Sequence, residues 1–376
     1  MNWKECKNIL CIRADNMGDV IMSTPAFRAL KETFDCRLTL LTSKMGSLIA
    51  PFIKEIDETI LFDFPWVKTN NSIQSEECLA LVKKLKSFQF DAVVIFTVYS
   101  QNPLPSALIT YLANIPLRLA YCRENPYELL TDWIPDKEPY SFIQHQVTRD
   151  LNLVKSIGAV TDNEHLSICF DENAFKTAVE KLKAIGFNQN KKFIIAHAGV
   201  SEIKREYPEG FWIDTINIFQ QQTGLQILLT GTENEKPLTQ RIHRATGENV
   251  FNVARLLSIE EFIAVIAHSK LVISVNTATV HIAAALNKPV VVLYALTNPQ
   301  HTPWLTKNIV LPFSVPEKLK SKNEVIEFVN QSCFNKYVDY PSPFTVAENA
   351  LVLMNKKYIE RATQLIVSTQ NNLCLI

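Results

Sequence analysis

Glycine is scarce in this chain, with nine among 376 residues, and none sits in a GxGxxG, GxxxxGKS/T or GxSxG arrangement. Those spacings bring backbone amides close to dinucleotides, nucleoside triphosphates and acyl intermediates. Their absence counts against a dinucleotide oxidoreductase, a P-loop NTPase and an α/β-hydrolase. Neither sign of charge is in excess: Lys+Arg and Asp+Glu are 38 each. General nucleic-acid binding therefore has no electrostatic support. The local basic cluster Lys83, Lys84 and Lys86 reads as a solvated helix face. The eight cysteines are scattered, without CxxC or a Cys/His pairing. That argues against a zinc site and for reduced thiols in a cytosolic compartment. No run of about 18 apolar residues exists, and the opening MNWKECKNIL is too polar for a signal peptide. A soluble chain is expected, whose membrane contact, if any, is peripheral.

What is present is an alternation of apolar strands and amphipathic helices, twice over. The first half opens with a strand over 9–12 and a helix over 25–34, with Thr24 as N-cap and Pro25 at its first position. Strands follow at Arg37–Thr42, 59–62, Ala92–Phe96 and 117–120, and helices near 76–87, 105–113 and 147–157. Residues 122–144, with three prolines, read as an irregular surface segment. The second half restarts after a helix over 172–185. It carries strands at 193–196, Gln226–Thr230 and 251–253, with helices over 210–221, 236–245 and 259–268. Residues 271–299 then read as a parallel βαβ unit: an apolar run, the polar Asn276-Thr277, a small-residue helix, and a second apolar run after Pro289. The proline-rich stretch 312–345 reads as a linker, the residues after 346 as an amphipathic helix to 364, and the tail after 369 as frayed.

In open α/β sheets anionic ligands bind where strand C-termini meet helix N-termini, because the first helical N–H groups lack partners and the dipole favours negative charge. Asn276, Thr277 and Ala278 stand at such a place, with His281 one turn later. His197-Ala198-Gly199 ends another strand, and Lys204-Arg205 follow; a glycine and two cations suit a diphosphate. Gly231 leads to Glu233 and Glu235, either able to accept from ribose hydroxyls or merely to start a helix. In the first half Gly18-Asp19 follows the opening strand. Asp19 can serve as general base toward an acceptor hydroxyl, or be a loop carboxylate satisfied by backbone N–H groups. Asp15 competes in the same loop, without anything in the pattern to promote it.

Taken together, four ordered segments resemble glycosyltransferase family 9, the bacterial heptosyltransferases of lipopolysaccharide core assembly: ILCIRADNMGDVIMSTPAFRALKETF, FIIAHAGVSEIKREYPEGFW, ILLTGTENE and LVISVNTATVHIAAALNKPVVVLYALTNPQHTPW. The resemblance implies an α/β GT-B fold of two Rossmann-like domains facing across a central cleft. The corresponding domains are 1–170 for the acceptor and 171–345 for the nucleotide-sugar, with 346–376 packing back on the first. It implies inverting, metal-independent transfer without a cofactor, from ADP-heptose to a lipopolysaccharide-core or other lipid-linked glycan, in the cytoplasm or peripherally at the inner membrane face. Asp19 falls on the family's proposed base, with Gly18 and Arg13 on the acceptor side. The donor set is Gly199, Ser201, Lys204, Arg205, Glu233, Asn276, Thr277, Ala278 and His281. Two departures stand out. Asn276-Thr277-Ala278 replaces Asp-Thr-Gly, and Asn298 replaces the Asp of Gly-Pro-Thr-Asp-Pro. Another nucleotide-sugar in capsule or O-antigen assembly, or a non-catalytic nucleotide-sugar-binding relative, remain alternatives.

Overall fold

The computed structural model describes residues 2–68 and 72–354. It divides into two compact units between Cys169 and Phe170. In the first unit β1 (Asn8–Arg13) leads through α1 (Met17–Met22) and α2 (Thr24–Phe34) to β2 (Arg37–Thr42). α3 (Lys44–Ser47), β3 (Glu58–Leu61), α4 (Ser75–Ser87), β4 (Ala92–Phe96), α5 (Leu104–Leu112), β5 (Leu117–Cys122), β6 (Asp132–Pro135) and α6 (Gln146–Lys155) follow.

The second unit runs α7 (Glu172–Lys183), β7 (Phe193–His197), α8 (Glu209–Thr223), β8 (Gln226–Thr230), α9 (Lys236–Arg244), β9 (Val250–Asn252) and α10 (Ile259–His268). It continues with β10 (Val272–Val275), α11 (Ala278–Ala285), β11 (Val290–Ala295), β12 (Asn308–Phe313), α12 (Glu324–Cys333) and α13 (Pro343–Met354).

Each unit is one parallel sheet of six strands, ordered β3-β2-β1-β4-β5-β6 in the first and β12-β11-β10-β7-β8-β9 in the second. Strands such as AVVIF and VVVLYA are buried along their whole length. That is the signature of parallel strands covered on both faces by crossover helices. Both orders reverse beside the unit's first strand, once between β1 and β4 and once between β7 and β10. At such a reversal the flanking connections leave on opposite faces, and a crevice opens beyond the strand C-termini. Arg13 pairs with Phe96 and Ser274 with His197 at these two positions. No helix among the described residues is long and apolar enough to cross a membrane.

Several local expectations need correction. The segment between β1 and the proline-started helix is not all loop: α1 forms there, and Ser23, not Thr24, separates it from α2. The supposed irregular segment 122–144 contains β6 and the supposed linker contains α12, while β12 was missed just before it. Proline hid both strands. Pro135 and Pro312 are tolerated because β6 and β12 are sheet edges, where a missing N–H leaves no ladder bond unmade. Among the described residues Cys6, Cys11, Cys36, Cys78, Cys122 and Cys169 are free thiols.

The last helix, expected to pack back on the first domain, does otherwise over its described part. Val346, Ala347, Ala350 and Leu353 of α13 join the second unit's own core with Trp212, Ile216 and Phe219 of α8. Small alanines at one-turn spacing let the two helices approach closely, which fixes α13 there. Residues 355–376, including the rest of that expected helix and the expected frayed tail, lie outside the described residues. Ala350→Glu should therefore place an unpaired carboxylate in this apolar seam, at a cost of about 2 kcal/mol or more. Calorimetric melting should show a lowered transition; an unchanged melt would mean that α13 is not part of the second core.

Candidate active site

At the C-terminal end of β1 the chain buries a cation completely. Arg13 has a side chain with 0% exposure, and three carboxylates surround it. Its Nε lies 3.3 Å from Asp15 Oδ2, its Nη2 3.3 Å from Asp19 Oδ1 and its Nη1 3.8 Å from Asp150 Oδ1. Burial by itself would lower the Arg13 pKa, but Asp150, Asp15 and Asp19 outweigh it and hold the guanidinium charged. Asp19 is the third residue of α1 rather than a loop residue. Its Oδ2 accepts from the Asn16 N–H at 3.3 Å, closing a reciprocal cap, while Oδ1 accepts from Arg13. Gly18 beside it is buried within the same short helix. The bland and the catalytic readings of Asp19 thus coexist. It is capped and paired, yet remains 14% exposed at the crevice end of the sheet.

Asp15 is 10% exposed. Desolvation pushes its carboxyl up to about 6, Asp19 and Asp150 add to that, and Arg13 and the amide of Gln101 oppose it. Burial also raises Asp150 on α6, although Arg13, Ser23 and Gln146 counter it. Ser23 Oγ and Gln146 Nε2 each donate to it at 2.7 Å. Sequence reasoning missed Asp150 altogether. A single acidic residue in a helix 131 positions from Asp19 carries no local signal.

The second unit gathers its own set at the β7/β10 reversal. His197 ends β7 with Nδ1 2.9 Å from Thr230 Oγ1, and burial lowers its pKa while Glu235 opposes. Gly199 cannot be replaced freely: a Cβ there would stand 2.0 Å from the Glu235 carboxyl carbon. Glu235 also accepts from the Thr232 N–H at 2.6 Å. Glu233, the expected ribose contact, is instead exposed and paired with Arg255 at 3.0 Å. The two acids divide because the turn Glu233–Glu235 directs only its last residue back under the strand end.

The cations after β7 are not free. Glu202, unforeseen from the sequence, lies 3.5 Å from Lys204 and 3.2 Å from Arg205. Arg205 Nη1 also donates to the Asn276 carbonyl at 3.1 Å, and its Nε is buried without a hydrogen-bond partner. This contact brings the cationic turn to the start of α11. Thr277 is the N-cap of α11 but makes no side-chain cap bond; its hydroxyl lies 3.4 Å from Ser274 Oγ. Ala278 begins the helix half-buried, and His281 is buried with its ring 6.4 Å from that of His301. Ser201 is exposed in the turn.

Asn276 does not present its amide outward. Its Oδ1 accepts from the Ala295 N–H and its Nδ2 donates to the Ala295 carbonyl, both at 3.3 Å. Asn298 likewise accepts from Gln300 N–H at 2.9 Å and lies 3.2 Å from His301 Nε2. Both amides hold loops in place. A carboxylate could accept the first of these bonds but could not donate the second.

The profile of glycosyltransferase family 9 (heptosyltransferase) matches residues 78–331, so Asp19 lies before the matched stretch. A lipooligosaccharide heptosyltransferase 2 from Haemophilus ducreyi is 25% identical over 325 residues, 81% of this chain and 87% of the relative. A family 9 glycosyltransferase structure from Veillonella parvula superposes with a TM-score of 0.75 at 17% identity, covering 94% of this chain and 98% of that one. The Escherichia coli heptosyltransferase WaaC with ADP-2-deoxy-2-fluoro heptose gives 0.60 at 19%, covering 86% and 99%.

The buried charge cluster sets a pH dependence. Asp15 holds its proton more tightly in the folded chain than in the unfolded one. Its contribution to stability is therefore present in full below about pH 4 and lost as pH rises through about 6. Arg13→Met should sharpen this by leaving the carboxylates without their cation. It should cost about 3–5 kcal/mol at pH 8 and clearly less at pH 5, where protons replace the guanidinium. Melts of variant and parent across that range check it; a penalty independent of pH would contradict the charge account.

Proposed function

Because this chain belongs to glycosyltransferase family 9, we propose that it moves a heptose from ADP-heptose to a lipid-linked glycan, with inversion and without a metal ion. The observation that carries the donor side is the Arg205–Asn276 bond. It holds a guanidinium beside the uncapped start of α11, so a diphosphate there meets fixed cations and backbone N–H groups together. Gly199, having no side chain, leaves room for the Glu235 carboxylate at the strand end. Lys204 and Arg205 exchange part of their bond to Glu202 for phosphate oxygens. Glu235, rather than Glu233, accepts from the ribose hydroxyls. The ADP assignment is supported by the ADP-heptose analogue named with the Escherichia coli relative.

On the acceptor side Asp19 takes the hydroxyl proton as the oxygen attacks the anomeric carbon. The bond to the diphosphate breaks on the opposite face, which inverts the centre. Negative charge then grows on the departing ADP, where Arg205, Lys204 and the α11 dipole stabilise it more than in the ground state. Arg13 pairs with Asp19 and aims it. We place the reaction in the cytoplasm at the inner membrane face, with lipopolysaccharide core as the acceptor class.

ADP and ADP-sugars should raise the melting temperature more than UDP counterparts, since only ligands of the native state stabilise it. A larger shift with a UDP-sugar would redirect the donor assignment. Asp19→Asn should lower kcat by about 100-fold or more and leave the donor Kd nearly unchanged. Arg205→Met should do the reverse in emphasis, weakening ADP binding by about tenfold. Undiminished turnover by the Asp19 variant would remove it from the mechanism.

A further inference from the structure

The acid–base step above uses one carboxylate, but the first unit places three around one guanidinium. The two others differ in how they are held. Asp150 has both oxygens occupied, Oδ2 by the Ser23 hydroxyl and Oδ1 by the Gln146 amide. It is held in place on both sides, although burial raises its pKa as well. Asp15 has only Oδ1 occupied, by Gln101 Nε2 at 2.5 Å. Its Oδ2 is buried and makes no hydrogen bond; it faces Arg13 Nε at 3.3 Å through charge alone. Arg13 Nε and Nη1 are themselves without hydrogen bonds, and only Nη2 is spoken for, by Asp19. One positive charge cannot neutralise three buried negative ones, so a change of charge at Asp19 is felt first by the carboxylate with the fewest other partners.

We propose that Asp15 is a positioning residue for the transfer reaction: sharing the Arg13 guanidinium with Asp19, it sets how tightly Asp19 holds the proton it removes from the acceptor. The inference rests on Asp19 being the base. In the step, the acceptor O–H bond breaks and its proton goes to Asp19. The oxygen lone pair forms the new bond to the anomeric carbon, and the departing diphosphate keeps the electron pair of the old one. An ionised Asp15 competes for Arg13 and repels negative charge on Asp19, which strengthens Asp19 as a base. A protonated Asp15 leaves Arg13 to Asp19 and weakens it. The raised pKa of Asp15, about 6, puts this change within a range that assays reach.

The charged and titratable groups facing Asp15 come from several elements. β1 supplies Arg13, α1 supplies Asp19, and α6 supplies Asp150, itself near Arg149. The segment after β4 supplies only the neutral Gln101. On the α3 side Ser43 donates to the Asp15 carbonyl, and the titratable residue there is Lys44, whose own N–H is bonded to Asp63.

The test is kcat against pH, from 5 to 9 with both substrates saturating, for the parent, Asp15→Asn, Gln101→Leu and Asp19→Asn. Asp15→Asn should lower the plateau severalfold and move the acid limb down by about 0.5 pH or more, with the donor Kd unchanged by calorimetry. Gln101→Leu removes the amide that favours ionised Asp15 and should move the limb upward. A merely structural role would lower melting temperature and rate while leaving the limbs in place. If Asp15→Asn does not fold, Gln101→Leu decides by itself. Limbs that coincide with the parent's, or that move the opposite way, would overturn the proposal. Full plateau turnover by Asp19→Asn would instead remove the base assignment on which it stands.

Discussion

A guanidinium taken entirely out of water has to be met by charge, and in the first unit that demand organises everything near the crevice. Arg13 is the last residue of a central strand, so its position follows from the sheet and not from the loop. Asp15, Asp19 and Asp150 come to it from the following loop, a short helix and the unit's last helix. Removing the guanidinium from such a set leaves uncompensated charge, and even the complete set places three carboxylates around one cation. The same arrangement that strains the ionisation balance leaves a carboxylate able to take up a proton and return it.

The second unit has the same strand order and gathers a different set of charges at its reversal. Here the cations are partly neutralised in advance by Glu202, and the glycine-side space is occupied by the Glu235 carboxylate. These acids tie the turn down through ion pairs and a backbone hydrogen bond. The two asparagines that depart from the family's aspartates serve the loops through both faces of their amides. Their chemistry fits a rigid support for the donor loop and removes the motive for a non-catalytic reading based on lost charge alone.

Much of this was legible in the sequence, for reasons that are physical. Continuous apolar runs of about five residues separated by amphipathic helices allow little besides covered parallel strands. Small polar residues at strand ends mark the places where backbone must approach a ligand. Asp19, Gly199, Arg205 and Thr277 were singled out as candidates on those grounds. The errors cluster where proline or a short polar segment hid an element: β6, β12, α12 and the six-residue α1. Edge strands tolerate proline because nothing pairs with the missing donor, so a breaker in sequence is not a breaker in space.

Local pattern by itself determined the α/β class and the two sheets and marked the candidate loops, because hydrophobic period and turn chemistry act over a few residues. Tertiary structure decided the rest: that Asp150 reaches Arg13, that Glu235 and not Glu233 lies against Gly199, that Asn276 looks inward to Ala295, and that α13 seats on α8. Each of these depends on residues far apart in the chain meeting in space. The free energy of burying a charge or an apolar face is settled by its neighbours there, and the order of residues carries no local mark of it.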